Sequence, residues 1–165
     1  MKIEEQIEDL LQQEINILRL LLTNLKNEQN LLIQKNGEGV NQILDERLNY
    51  LERFEGLALK LIENTLHLCL LPELIGEEEF THPMALKLLK ETIPVENMEV
   101  HSLLEQLEAL FHEIENQCNI TKYFLQTRGG GELRGLEPPA RLSPMKQKLK
   151  KVQLELLDPE QAEET

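Results

Sequence analysis

IEEQIEDLLQQEINILRLLLTNLKNEQNLL, residues 3–32, and VNQILDERLNYLERFEGLALKLIENTLHLC, residues 40–69, are two leucine-rich stretches of nearly equal length separated by a break that contains Gly37 and Gly39. In the first, Ile7, Leu11, Ile15, Leu18, Leu22, Leu25 and Leu32 fall at alternating steps of four and three, with Gln29 as the polar slot. That is the spacing of helices packing lengthwise. In the second, Val40, Leu44, Arg47, Leu51, Phe54, Ala58, Leu61, Thr65 and Leu68 continue the same alternation. With so short a connection the two segments predict an antiparallel helical hairpin. Leu10, Leu21, Ile43, Leu48, Ile62 and Cys69 widen the stripes beyond a two-stranded seam, so further protein must cover them.

Val100, Leu103, Leu107, Leu110, Ile114, Cys118, Thr121 and Leu125, widened by Leu104 and Phe111, supply that cover as a third long helix. A helix of about 30 residues is a rod of roughly 45 Å. The expected fold is all-α: an elongated antiparallel bundle of three long helices, with a flexible C-terminal tail carrying a short amphipathic helix. Helix one is expected over residues 3–35, stopping at Asn36 and Gly37, residues that accept the left-handed backbone of a helix end. Helix two is expected from Val40 to just before Pro72. Between Leu71 and Asn97, Pro72, Pro83, Pro94, Gly76 and the acidic run Glu77 to Glu79 predict a crossover loop with one short helix over residues 84–92. The spacing leaves open whether the third long helix starts at the far end of the hairpin or folds alongside it.

The same pattern divides the chain into domains: residues 1–128 form the bundle, and residues 129–165 a Gly/Pro-rich linker and tail. Gly129 to Gly131, Gly135, Pro138 and Pro139 mark the linker. Ser143 and Pro144 are a helix start, and Asp158 with Pro159 a stop. On the intervening segment Met145, Leu149, Val152 and Leu156 line one face, and Lys146, Lys148, Lys150 and Lys151 make the one basic cluster of an acidic chain. Such a short helix orders by docking, since nucleation is costly. It has three candidate targets: a client or partner machinery, the chain's own bundle, or an acidic membrane surface, which the acidic end Asp158, Glu160, Glu163 and Glu164 disfavours.

Charge and composition narrow the function classes. The net charge is −13, aromatic residues make up 4% and tryptophan is absent, so neither a phosphate-attracting surface nor a base-stacking platform is expected, and nucleic acid is excluded as a partner. No apolar run approaches the ~20 residues of a membrane span, and the start of the chain lacks the pattern of a signal peptide. A cytoplasmic protein is expected. Cys69 and Cys118 both sit on apolar stripes and read as small buried hydrophobes rather than as a disulfide or nucleophiles. A di-iron bundle needs two Glu-x-x-His pairs on facing helices, whereas Glu79 and His82 form one pair in a stretch that reads as a solvated turn. His67 and His112 read as exposed or edge-of-core residues. Gly129 to Gly131 does not precede Lys-Ser or Lys-Thr, so no phosphate loop is expected. No cofactor, no metal and no enzymatic activity are expected, for want of a convergent polar cluster.

Glu14 and Glu28 fall near the seam of helix one. The preferred reading leaves them solvated at its edge, because a buried charge is expensive unless paired; the other pairs them with basic partners such as Arg47.

The runs IEDLLQQEINILRLLLTNLKNEQNLLI (7–33), VNQILDERLNYLERFEGLALKLI (40–62) and LLEQLEALFHEIENQCNITKYFL (103–125) together resemble the FlgN-like family of export chaperones, over roughly residues 3–125. Glu14, Glu28 and Asn119 sit where the family pattern favours such residues. The resemblance implies a small cytoplasmic helical protein that holds the hook-filament junction subunits, or related type III secreted subunits, before secretion. It also implies export-gate or export ATPase components as further partners. Family members commonly carry an aromatic and glycine segment after the third helix; here Tyr123 and Phe124 precede Gly129 to Gly131, with Pro138 and Pro139 beyond, a departure that bears on how a client docks. The physical requirement matches the family role: a filament subunit's amphipathic terminal helix must be covered until export. Helices two and three are expected to offer the groove, with Phe54, Leu61, Phe111, Leu125, Tyr123 and Phe124 as anchors and Met145, Leu149, Val152 and Leu156 of the tail as a clamp or competitor. The alternatives are a coiled-coil structural or stalk component of a secretion apparatus and a prefoldin-like holdase.

Overall fold

The computed structural model describes residues 2–127; the expected tail, with Met145, Leu149, Val152 and Leu156, lies outside the described residues. All regular structure within that range is helical: α1 (Ile3–Ile33), α2 (Gly37–Leu68), a 3₁₀ turn at Pro72–Leu74, α3 (His82–Thr92) and α4 (Met98–Thr127).

The long helices follow their apolar stripes, and α1 and α2 end where a left-handed residue closes them. At the end of α1, Asn36 N–H donates to the Leu31 carbonyl at 3.0 Å and Lys35 N–H to that of Leu32 at 3.2 Å, with Lys35 at φ 56°. At the end of α2, Leu71 N–H reaches Leu66 O at 2.8 Å and Leu70 N–H reaches His67 O at 3.2 Å, with Leu70 at φ 58°. Both are Schellman closures, but with side chains where glycine is usual. The expectation for the first is corrected: Lys35, not Asn36 or Gly37, carries the left-handed backbone. Asn36 instead caps α2, its side-chain oxygen accepting from Gly39 N–H at 3.0 Å, so α2 starts three residues before Val40. A Cβ on Gly39 would stand 2.9 Å from Leu31 Cδ2 and 3.0 Å from Asn36 Nδ2, so a side chain there would press on the Leu31 methyl and the capping amide.

α1 is the shared spine, packing against both α2 and α4. Across α1 and α4, Arg19 meets Gln106, Lys26 meets Glu113, and Gln29 meets both Gln117 and Thr121, offsets of 87 to 92 residues that keep one sense along both helices. α4 therefore runs parallel to α1, alongside it and antiparallel to α2. α3 covers the lower part of the bundle, where α2 ends and α4 begins, packing on α2 and α4 and burying His82, Pro83, Ala85, Leu89 and Ile93. Its foot lies against the start of α4, where the His101 ring bonds the Ile93 carbonyl at 3.0 Å.

The inner end of α3 overturns two readings. His82 is not in a solvated turn: it is 3% exposed, with its ring set edge-on against Phe54 and Phe111 at centroid distances of 5.6 and 6.1 Å. Its Nε2 lies 2.6 Å from Oε1 of Glu14, which is 0% exposed rather than solvated at the seam's edge. His82 thus pairs across the core and not with Glu79, which is exposed. The cysteines are half-buried and unbridged; Cys69 Sγ lies 3.6 Å from Thr92 Oγ1 and Cys118 packs against the core. His67 and His112 are exposed.

Removing one member of a buried pair strands the other, whereas replacing both with apolar groups does not. His82→Leu alone, which leaves the Glu14 carboxylate buried without its partner, is expected to destabilise the protein by about 3–5 kcal/mol in urea unfolding, and the double change Glu14→Met with His82→Leu by much less. Lys35→Gly is expected to stabilise by about 1 kcal/mol, read as a higher urea midpoint at unchanged m-value, because glycine relieves the left-handed backbone.

Candidate functional site

The core is divided. The main cluster holds twenty buried apolar residues from all four helices, and a second holds three, Leu32, Val40 and Leu44, with half-buried Leu31, Phe124 and Leu125 packed against them at the hairpin tip.

Polar side chains lie between the two. On the α2 side, Arg47 Nε donates to Asn24 Oδ1 at 2.8 Å, and Asn24 Nδ2 donates to the Ile43 carbonyl at 2.9 Å and to Glu46 Oε1 at 3.3 Å. Arg47 Nη2 sits 3.1 Å from Glu28 Oε1, close enough for an ion pair but not aligned as a hydrogen bond. Both side chains are nearly inaccessible, at 6% and 7% exposure. Of the two readings of Glu28, the pairing with Arg47 is the one found, and edge solvation is corrected. Tyr50 extends the network: burial, and then the Glu46 carboxylate that accepts its hydroxyl, push the phenol above its ordinary value. On the α4 side, Gln29 Nε2 donates to Gln117 Oε1 at 2.8 Å, to the Gln117 carbonyl at 3.2 Å and to Thr121 Oγ1 at 3.2 Å. These groups form a polar belt between the main core and the tip.

Beyond the belt, apolar surface comes to the outside. Offsets of 87 to 92 residues set Ile33 level with residues 120–125, so the last residues of α4 extend past the end of α1 by roughly 3–10 Å. Ile33 is 65% exposed, Tyr123 68% and Ile120 44%, while Phe124 and Leu125 turn inward onto Leu32, Val40 and Leu44. The tip is therefore the candidate binding surface.

The anchors expected from sequence separate into three groups. Tyr123, Phe124 and Leu125 come together at the tip. Phe111 does not join them: it is 6% exposed and closes the main core against Phe54 at 6.2 Å. Phe54 and Leu61 are buried as well, so the expected groove between the second and third long helices is not open at their level, because α3 and the Phe54–Phe111 contact fill it. Met145, Leu149, Val152 and Leu156 lie outside the described residues. Ile33 and Ile120 were not among the expected anchors. Each lies off its helix's apolar stripe, and that displacement was the one signal available.

Among the described residues no helix is long and apolar enough to cross a membrane, and no three His, Cys, Asp or Glu side chains gather as metal ligands. No protein-family model, curated protein or solved structure matches the chain.

The belt predicts two stability classes. Amides of the last two turns of α4 and the first two of α2 are expected to exchange hydrogen through local opening, well before those around Leu18, Phe54 and Leu107. Arg47→Ala leaves Glu28 buried and unpaired and is expected to cost about 3–5 kcal/mol in the same denaturation assay, with the tip amides losing protection first.

Proposed function

We propose that this chain is a cytoplasmic export chaperone that binds a secreted subunit of a flagellar or related type III system, of the hook-filament junction class, and keeps it unassembled before secretion. The observation that carries the reading is the collection of exposed Ile33, Ile120 and Tyr123 at one end of a narrow helical body, above half-buried Phe124 and Leu125. A client's amphipathic terminal helix needs an apolar stripe to lie on, and anchors spaced along neighbouring helices supply one. The resemblance of residues 3–125 to FlgN-like chaperones supports the same reading. So does the charge of −13, which keeps a loaded complex dispersed. Export-gate or export ATPase components as further partners belong to the same proposal.

The test is an affinity capture from the native organism with the full chain and with the triple variant Ile33→Asp, Ile120→Asp, Tyr123→Ser, read by mass spectrometry. A secreted filament-junction subunit recovered with the natural sequence is expected to fall by more than about tenfold with the variant, in line with the loss of central apolar anchors. Equal recovery of export-apparatus components by both, with no secreted subunit, would replace this reading with that of a structural rod.

A further inference from the structure

The described chain leaves off at the tip. α4 runs past the end of α1 and reaches Thr127 there, so residues 128–165 set out from beside Ile33, Ile120 and Tyr123. One stretch of them is poor in acids and striped with apolar residues. Residues 144–157 carry Lys146, Lys148, Lys150 and Lys151 against the single acid Glu155, with Met145, Leu149, Val152 and Leu156 at helical spacing.

Two surfaces could receive such a segment. On α2 from the tip to Glu52 the exposed charged side chains are Glu38, Asp45, Glu46 and Glu52, with Arg47 buried against Glu28, while the exposed Lys35 of the turn and Lys122 of α4 flank the apolar patch. At the opposite end, exposed Val95 and Met98 stand among Glu4, Glu5, Glu96 and Glu99, and the Glu8 carboxyl there is pushed up chiefly by its hydrogen bond to Glu99. Chemistry alone does not choose between them; reach does. Sixteen residues, 128–143 with four glycines among them, separate Thr127 from the striped stretch, and sixteen residues of a Gly-rich coil reach a root-mean-square distance of about 22 Å. The opposite end is roughly 45 Å away along the helices, so the segment's effective concentration there is lower by about two orders of magnitude than at the tip.

We propose that residues 144–157 dock on the hairpin tip of the same chain, laying Met145, Leu149, Val152 and Leu156 over Ile33, Ile120 and Tyr123 with the lysines toward the acidic outer face of α2. The segment then occupies the surface a client needs, and binding of a client displaces it. The docking stands on the tip, the charge and the reach; the competition rests in addition on the export-chaperone reading.

The experiment compares amide spectra of the full chain with those of Met145→Ser/Leu149→Ser/Val152→Ser/Leu156→Ser. Amides of Ile33, Ile120, Tyr123 and residues 38–46 are expected to shift between the two and to be unchanged by dilution. Raising the salt from about 50 to about 500 mM should move the natural chain's tip signals toward those of the variant, as screening weakens the lysine contribution. A second variant, with the four lysines changed to glutamine, is expected to move the same signals partway. Unshifted tip amides overturn the proposal. Shifts confined to Val95, Met98 and their neighbours, or shifts that vanish on dilution and so report a second copy, overturn it equally. The client arm is separate. If the segment covers the tip about 70–90% of the time, the serine variant binds a junction subunit about three- to tenfold more tightly than the natural chain. Equal or weaker binding removes the competition while the spectra still decide the docking, and absence of any client binding counts against the export-chaperone reading alone.

Discussion

Glu14 and Glu28 stand four turns apart on the buried face of α1, and neither carboxylate can be taken out of water without a partner. Each finds one on a different helix. Glu14 meets His82 at the head of α3, and Glu28 meets Arg47 in the middle of α2. An apolar stripe tolerates sliding by a turn, since one leucine replaces another; a buried charge does not, because a slip of one turn leaves it facing hydrocarbon. These two pairs fix where α2 and α3 sit along the spine, and the Gln29–Gln117–Thr121 bonds do the same for α4. The pairs add little net stability over apolar residues of equal volume, and their effect falls on register.

The same polar insertions weaken the tip. Above the belt three fully buried apolar side chains hold the hairpin end and the last turns of α4, against twenty below it. The surface that gathers exposed Ile33, Ile120 and Tyr123 is thus carried by the part of the bundle that opens most readily. A surface that repacks at low cost suits a partner helix better than a rigid one.

The stripes were legible in the sequence because each runs for about four heptads and leaves few alternatives. Every seam position assigned to α2 from Val40 to Thr65 is buried, including its polar members Arg47 and Thr65. The pairing of Glu14 was not legible, for its partner lies 68 residues away on an 11-residue helix too short to show a period. Proline at position 83 and the neighbouring acids disguised the head of that helix as a loop. Lys35 was missed because residue type argues against a left-handed lysine when asparagine and glycine stand next to it. Periodicity located Tyr123, Phe124 and Leu125 on α4, but the overhang that gathers them with Ile33 depends on the offset between two helices of unequal reach. No single helix records that quantity.

α3 explains why the belt lies where it does. α2 and α4 flank α1, and α3 packs on both of them. From His82 down to Ile93 α3 covers the seam, which there is apolar apart from the Glu14–His82 pair and Thr65. Above His82 α3 provides no cover, and within about three turns the seam turns to Asn24, Glu28, Gln29, Arg47, Gln117 and Thr121, which pair by hydrogen bonds and by the Glu28–Arg47 ion pair. The bundle is four helices thick at one end and three at the other, and its chemistry changes between the two. Apolar residues beyond that change, at Ile33, Ile120 and Tyr123, have no fourth helix of the described chain to lie under. A helix brought from elsewhere, whether from residues 144–157 or from a client, would restore at the tip the cover that α3 gives the base.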